Sequence, residues 1–158
     1  MNMTFNESDN KAMRLAIEAS REALADGDMP FGATLVSAQG EILLISANNQ
    51  NSAADCTGHA EMVLVRTAQK QLGLGALRGS TVYASGEPCA MCCGAMFWGG
   101  VKRVVYAAST AQIAEALGGP LLPLRSAEVL AAATPAMIVD GPLMGDEAFA
   151  VLQRFVPD

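Results

Sequence analysis

Apolar residues recur at helical spacing through Ala12, Leu15, Ala16, Ala19 and Ala23, which predicts a first helix running to about Ala25, capped by Ser8 or Asp9. Asp26-Gly27-Asp28 ends it. The pattern then shortens into two strands, residues 31–37 and 41–47, with a hairpin turn at Ala38-Gln39-Gly40. Residues 48–58 are polar and read as a loop. A second helix is expected over residues 59–72, with Met62, Val65 and Leu72 among its apolar positions and Gly73 and Gly75 marking its end. A short strand at 81–85 leads through Glu87-Pro88 into a helix over 89–98, which Gly99-Gly100 stop. Residues 103–107 form a fourth strand. Beyond it the pattern predicts a short helix near 110–117, a Gly/Pro-rich break at 118–123 and a helix near 126–133. An edge or fifth strand at 136–139 and a closing helix at 146–155 complete it. Helix and strand alternate without linker, repeat or low-complexity tract, so residues 1–158 read as one α/β domain.

Half of the residues are apolar (51%) and only 16% are charged, rich enough in hydrophobic side chains to suggest that some apolar surface is covered by a second subunit. No apolar run approaches the roughly 18 residues of a membrane span. The start, Met1-Asn2-Met3-Thr4-Phe5-Asn6-Glu7, lacks the basic region and apolar core of an export signal, so a cytoplasmic protein is expected. The net charge of −6 argues against a nucleic-acid partner, since holding phosphates requires clustered Lys and Arg. From Ala107 onward only Arg125 and Arg154 are basic, against Glu115, Glu128, Asp140, Asp146, Glu147 and Asp158.

Four cysteines, Cys56, Cys89, Cys92 and Cys93, are expected to be reduced in that setting. Cys89 and Cys92 lie three apart, as neighbours on one helical face, directly after Pro88. The lone histidine, His59, stands at the expected start of the second helix. Helix N-termini favour thiolate over thiol, as zinc ligation requires. One imidazole and two thiolates leave the fourth tetrahedral position open, the mark of a catalytic rather than a closed structural zinc. Glu61 lies two residues beyond His59, close enough to move protons to and from a zinc-bound water whose pKa falls to about 7. Competing readings are a structural zinc knot that recruits Cys56, and a redox protein using Cys89-x-x-Cys92; the first leaves Glu61 idle and the second leaves the whole His59-Ala60-Glu61 string idle.

His59-Ala60-Glu61 followed by Pro88-Cys89-x-x-Cys92 is the H-x-E…P-C-x-x-C pattern of zinc nucleobase deaminases. The chain resembles the cytidine-deaminase-like superfamily, nearest its guanine, cytosine and tRNA-adenosine branch, from the first helix to about Ala108. The resemblance implies a three-layer α/β/α sandwich on a five-stranded mixed sheet. It implies a Zn2+ cofactor and hydrolytic deamination, in which hydroxide formed on zinc attacks the amino-bearing ring carbon, Glu61 shuttles protons and ammonia leaves. It also assigns substrate contacts to Asn48, to the main chain around Ala60 and to Phe31, and it implies a homodimer. A non-catalytic deaminase subunit would lack the glutamate, which is present here.

The branch is less sharply marked. Asn48-Asn49 with Asp55-x-Thr57, Pro30-Phe31-Gly32-Ala33 and Phe97-Trp98 all resemble guanine-type deaminases, with Trp98 either bordering the ring or lying in the core or at a dimer interface. Guanine deaminases of this branch carry an acidic pair after the fourth strand's helix; here Leu117-Gly118-Gly119-Pro120 stands there and Glu115 is the nearest acid. Residues 139–143 look more like the tRNA-adenosine branch, without its basic tail. The expectation is therefore an aminated base or nucleoside, guanine first, with cytosine, triazines, nucleosides or tRNA adenosine as alternatives.

Overall fold

The computed structural model describes residues 4–157; Met1, Asn2 and Met3, which belong to the segment read for an export signal, and Asp158 lie outside the described residues. Helix α1 spans Glu7–Ala25. Its cap is Asn6 rather than Ser8 or Asp9: the Asn6 Oδ1 accepts from the Asp9 N–H at 2.8 Å and the Asp9 carboxylate accepts from the Asn6 N–H at 3.1 Å. Asp9 is thus the return member of a reciprocal capping box.

Strands β1 (Gly32–Val36) and β2 (Ile42–Ala47) form the expected hairpin, followed by α2 (Ala60–Leu72) and a 3-10 turn at Leu74–Leu77. Then come β3 (Thr81–Gly86), α3 (Ala90–Gly99), β4 (Arg103–Ala108) and α4 (Thr110–Leu117). The helix expected near 126–133 is a single turn, α5 (Ser126–Val129), ending where Leu130 leaves helical geometry (φ −96°, ψ 3°). β5 (Ile138–Asp140) and α6 (Gly145–Leu152) close the chain, the latter shorter than expected and entered through Met144 in the left-handed conformation (φ 57°).

The sheet order is β2-β1-β3-β4-β5. β1 pairs antiparallel with β2 and β3, while β3–β4 and β4–β5 are parallel, so the sheet is mixed. Alternate strand residues face opposite layers, as the two-residue period of a strand requires. Tyr83, Val105 and Ala107 pack with α1 and α6; Ala33, Leu35, Val82 and Val104 pack with α2 and α3. The result is the expected α/β/α sandwich. Arg103 on β4 ties its layers together, donating to Asp9 of α1 and to Asp140 of β5, each at 2.8 Å.

This topology decides where chemistry can occur. Register pairs Gly32 with Ala47, Ala33 with Ala84 and Gly86 with Ala108. The start of β1 and the ends of β2, β3 and β4 therefore share one end of the sheet. The residues leading into or out of those ends, Phe31, Asn48, Glu87 and Ser109, all lie along it. Among the described residues no helix is long and apolar enough to cross a membrane.

Candidate active site

His59 and Cys89 are the N-cap residues of α2 and α3, each in extended conformation (φ −65° and −74°) just before the first helical turn. Cys92 lies one turn into α3 and is buried. His59 Nδ1 is 3.5 Å from each of the Cys89 and Cys92 sulphurs, and the sulphurs are 3.6 Å apart. A tetrahedral zinc with bonds of about 2.05 Å to nitrogen and about 2.3 Å to sulphur would hold these atoms roughly 3.6 Å (N to S) and 3.8 Å (S to S) apart. The triangle fits zinc within a few tenths of an ångström. Among the described residues the cluster has these three members. Cys56 is exposed, and the buried Cys93 thiol is directed to the Pro88 carbonyl at 3.7 Å, so neither supplies the fourth ligand of a closed knot.

The electrostatics agree with that donor set. The hydrogen bond shared with Cys92 holds the Cys89 thiol down at about 4, assisted by His59, and raises Cys92. His59 is raised, chiefly by its hydrogen bond with Cys89. Glu61, in the first turn of α2, is 5% exposed. Burial pushes its carboxyl up to about 7, and the negative charge of Cys89 adds to the rise. A carboxyl poised there at neutral pH is suited to both accepting and returning a proton.

His59, Glu61 and Cys89 open onto a cavity of about 420 Å³ whose walls include Phe31, Gln50, Gly86 and Glu87. Gly86 is required by close approach, since a Cβ there would lie 2.6 Å from the Phe31 ring. Of the substrate contacts expected from sequence, Phe31 does line the cavity and Ala60 is buried at the start of α2. Asn48 is buried behind the wall; its Oδ1 accepts from the Gln50 N–H at 2.9 Å and its Nδ2 donates to Gln50 Oε1 at 2.7 Å. The amide that reaches the cavity is Gln50, which the sequence reading passed over. Trp98 does not line the cavity: it is 84% exposed at the end of α3, edge-on to Phe97. Its exposure removes the core placement that the sequence had left open for it. Glu115 is exposed on α4 and does not line the cavity either.

Glu87 was also missed. Its side chain is 1% exposed and accepts from the Thr110 N–H at 2.9 Å, the Ser126 N–H at 3.2 Å and Arg125 Nε at 3.2 Å. An acid directly before Pro88-Cys89 was the available signal, but only the fold shows which segments it ties.

The comparisons with known proteins match this geometry. Residues 6–108 match the family described as the cytidine and deoxycytidylate deaminase zinc-binding region. A probable cytosine deaminase of Schizosaccharomyces pombe is 35% identical over 148 residues, covering 91% of this chain and 90% of the relative. The guanine deaminase of Bacillus subtilis is 40% identical over 106 residues, covering 67% of this chain and 65% of its own length. Several bacterial tRNA-specific adenosine deaminases are similar as well. The crystal structure of a mutant of the protein NE0047 in complex with 8-azaguanine superposes with a TM-score of 0.79 at 27% identity, covering 92% of this chain and 82% of the other. With a zinc-sized His/Cys/Cys triangle set beside a buried glutamate, the chain belongs to the cytidine and deoxycytidylate deaminase family and is a zinc-dependent hydrolytic deaminase.

Proposed function

We propose that this chain deaminates a free aminated base or nucleoside, guanine-type bases first and cytosine or triazines next, rather than an adenosine held within tRNA. One observation carries the reading. The cavity that contains His59, Glu61 and Cys89 has no Lys or Arg among its lining residues, so it offers a phosphate no counter-charge. Arg125, in the adjoining segment, is committed to Glu87 and to the Tyr106 hydroxyl.

His59 Nδ1 and the sulphurs of Cys89 and Cys92 would hold a zinc ion, which would supply a Lewis acid and lower the pKa of water to about 7. Glu61 takes a proton from the attacking water and delivers it to a ring nitrogen. The water oxygen bonds to the amino-bearing carbon. Glu61 then takes the proton of the new hydroxyl and passes it to the amine, the C–N bond breaks with its electron pair leaving on nitrogen, ammonia departs and a ring carbonyl remains. Burial raises Glu61 enough for both transfers near neutral pH. Phe31 flanks the ring, the Asn48–Gln50 amide pair orients its polar edge, and the main chain at Ala60 contributes from the start of α2. The exposed Trp98, with Leu72 and Leu74, supplies apolar surface for a homodimer. Four free cysteines suit a reducing, cytoplasmic setting.

Ammonia release from guanine, cytosine, nucleosides, triazines and a tRNA anticodon stem-loop tests the reading. Release from at least one small base or nucleoside is expected. Glu61→Gln should keep zinc and fold while losing at least about 10²-fold in turnover. Efficient adenosine-to-inosine conversion in the stem-loop, with no ammonia from any small compound, would overturn it.

A further inference from the structure

Beyond the catalytic groups, the cavity is walled mainly by apolar side chains. α4 presents Thr110, Ile113 and Leu117 at i, i+3 and i+7, one face of a helix, and Leu121, Leu122 and Leu124 continue that wall outward. Met29, Phe31 and Met91 stand among the remaining lining residues. Leu121, Leu122 and Leu124 are 52%, 60% and 47% exposed, so the wall offers apolar area that a ligand bound at the catalytic groups would cover.

The wall is held in place. Glu87 accepts from the Thr110 N–H at its near end and from Arg125 and the Ser126 N–H at its far end. One buried carboxylate thereby pins both ends of residues 110–126, and its acceptor capacity is spent on protein donors. His59 and Cys89 belong to the zinc triangle and Glu61 to proton transfer. The polar side chains left to a substrate's periphery are those of Gln50 and Thr110.

Resting on the deaminase reading above, we propose that the substrate class of this site is an uncharged aminated heteroaromatic ring bearing an apolar substituent, with Ile113, Leu117, Leu121, Leu122 and Leu124 as the residues that select it. The size supports this: 420 Å³ falls within the range of about 300–1,000 Å³ that encloses drug-sized ligands, larger than a bare base. The chemistry supports it too. A ribosyl group brings several hydroxyls to a wall whose side chains offer only Gln50 and Thr110 as partners, and it covers little of the apolar area, whereas an alkyl group of similar size gains from every methylene covered. A phosphorylated substituent would find no Lys or Arg among the lining residues.

The test compares substituents at the same ring atom: guanine, 9-butylguanine and guanosine, and cytosine, 1-butylcytosine and cytidine. Binding is measured by calorimetry on zinc-loaded Glu61→Gln protein, and ammonia release on the wild type. The butyl compound of at least one series should bind about tenfold or more tightly than both the bare base and the nucleoside, a few methylenes' worth of burial. In the double variant Leu121→Asn/Leu124→Asn, at partly exposed positions that substitution leaves foldable, that preference should fall at least threefold. Equal affinities, a preference for the ribosyl compounds, or no measurable binding of either butyl base would overturn the inference, as would a preference that survives the double variant. Ammonia release from bare bases or nucleosides with no butyl preference would overturn it while leaving the deaminase reading intact. Butyl-favoured binding without ammonia from any of the six, or from the triazines, would sustain the binding class and overturn small-base deamination instead.

Discussion

Replacing Glu87 with Gln isolates the role of a single buried carboxylate. The side chain is 1% exposed and serves the Thr110 N–H at 2.9 Å, the Ser126 N–H at 3.2 Å and the Arg125 guanidinium. Glutamine keeps the shape but has one acceptor oxygen, and it turns an NH2 group toward donors. At least one backbone N–H then loses its partner, at about 1–3 kcal/mol for a buried group. The ion pair adds less than a buried pair would, because Arg125 is 52% exposed and can turn to water, so about 0–1 kcal/mol is lost there. The expected destabilisation is about 1–4 kcal/mol, read as a lower urea midpoint at constant slope in zinc-loaded protein. Because Glu87 pins the wall while His59 and Glu61 are carried by α2, KM should rise more than kcat falls, with zinc content unchanged. Arg125→Met leaves both N–H partners in place but strands the buried carboxylate and the Tyr106 hydroxyl, so it too should lower the midpoint, while disturbing KM less than Glu87→Gln. If Glu87→Gln matched the wild type in both midpoint and KM, the pinning argument would be refuted.

Purified protein should carry one zinc per chain by metal analysis; His59→Ala, Cys89→Ala and Cys92→Ala should each lower it sharply, whereas Cys56→Ala and Cys93→Ala should retain it. Chelation should lower the thermal midpoint, since metal bound only by the folded state stabilises it. Asp9 gives a pH-dependent test: burial opposes its ionisation, but hydrogen bonds from Arg103, Tyr83 and Asn6 bring its carboxyl below the ordinary value. A depressed folded pKa contributes stability that is full above the unfolded value of about 3.9 and is lost as pH falls through the folded one. Asp9→Asn should therefore be less stable than the wild type at neutral pH, with the gap closing in acid; a gap independent of pH would contradict the assignment. Sedimentation at micromolar concentration should report at least twice the 16.4 kDa chain mass, and a clean monomer would refute the interface reading of Trp98.

Much of this molecule is written in local sequence. The alternation of helical and strand periods marked all five strands and placed five of the six α-helices to within a few residues, because each depends on near-neighbour spacing. The metal ligands were legible for the same reason. His59-Ala60-Glu61 and Pro88-Cys89-x-x-Cys92 are short strings, and both come to N-cap positions where extended backbone turns into helix. What the sequence could not supply is which distant strings meet. Antiparallel β1 beside parallel β3 and β4 brings Phe31, Gln50, Glu87 and Thr110 to one end of the sheet, and no residue spacing encodes that. The exposure of Trp98 and the burial of Asn48 behind Gln50 likewise depend on how helices and loops seat against the sheet. Glu87 is the sharpest case. As a letter it is an acid before a proline; in the fold it is the acceptor that two separated segments need, because buried N–H groups must find partners wherever the chain leaves them.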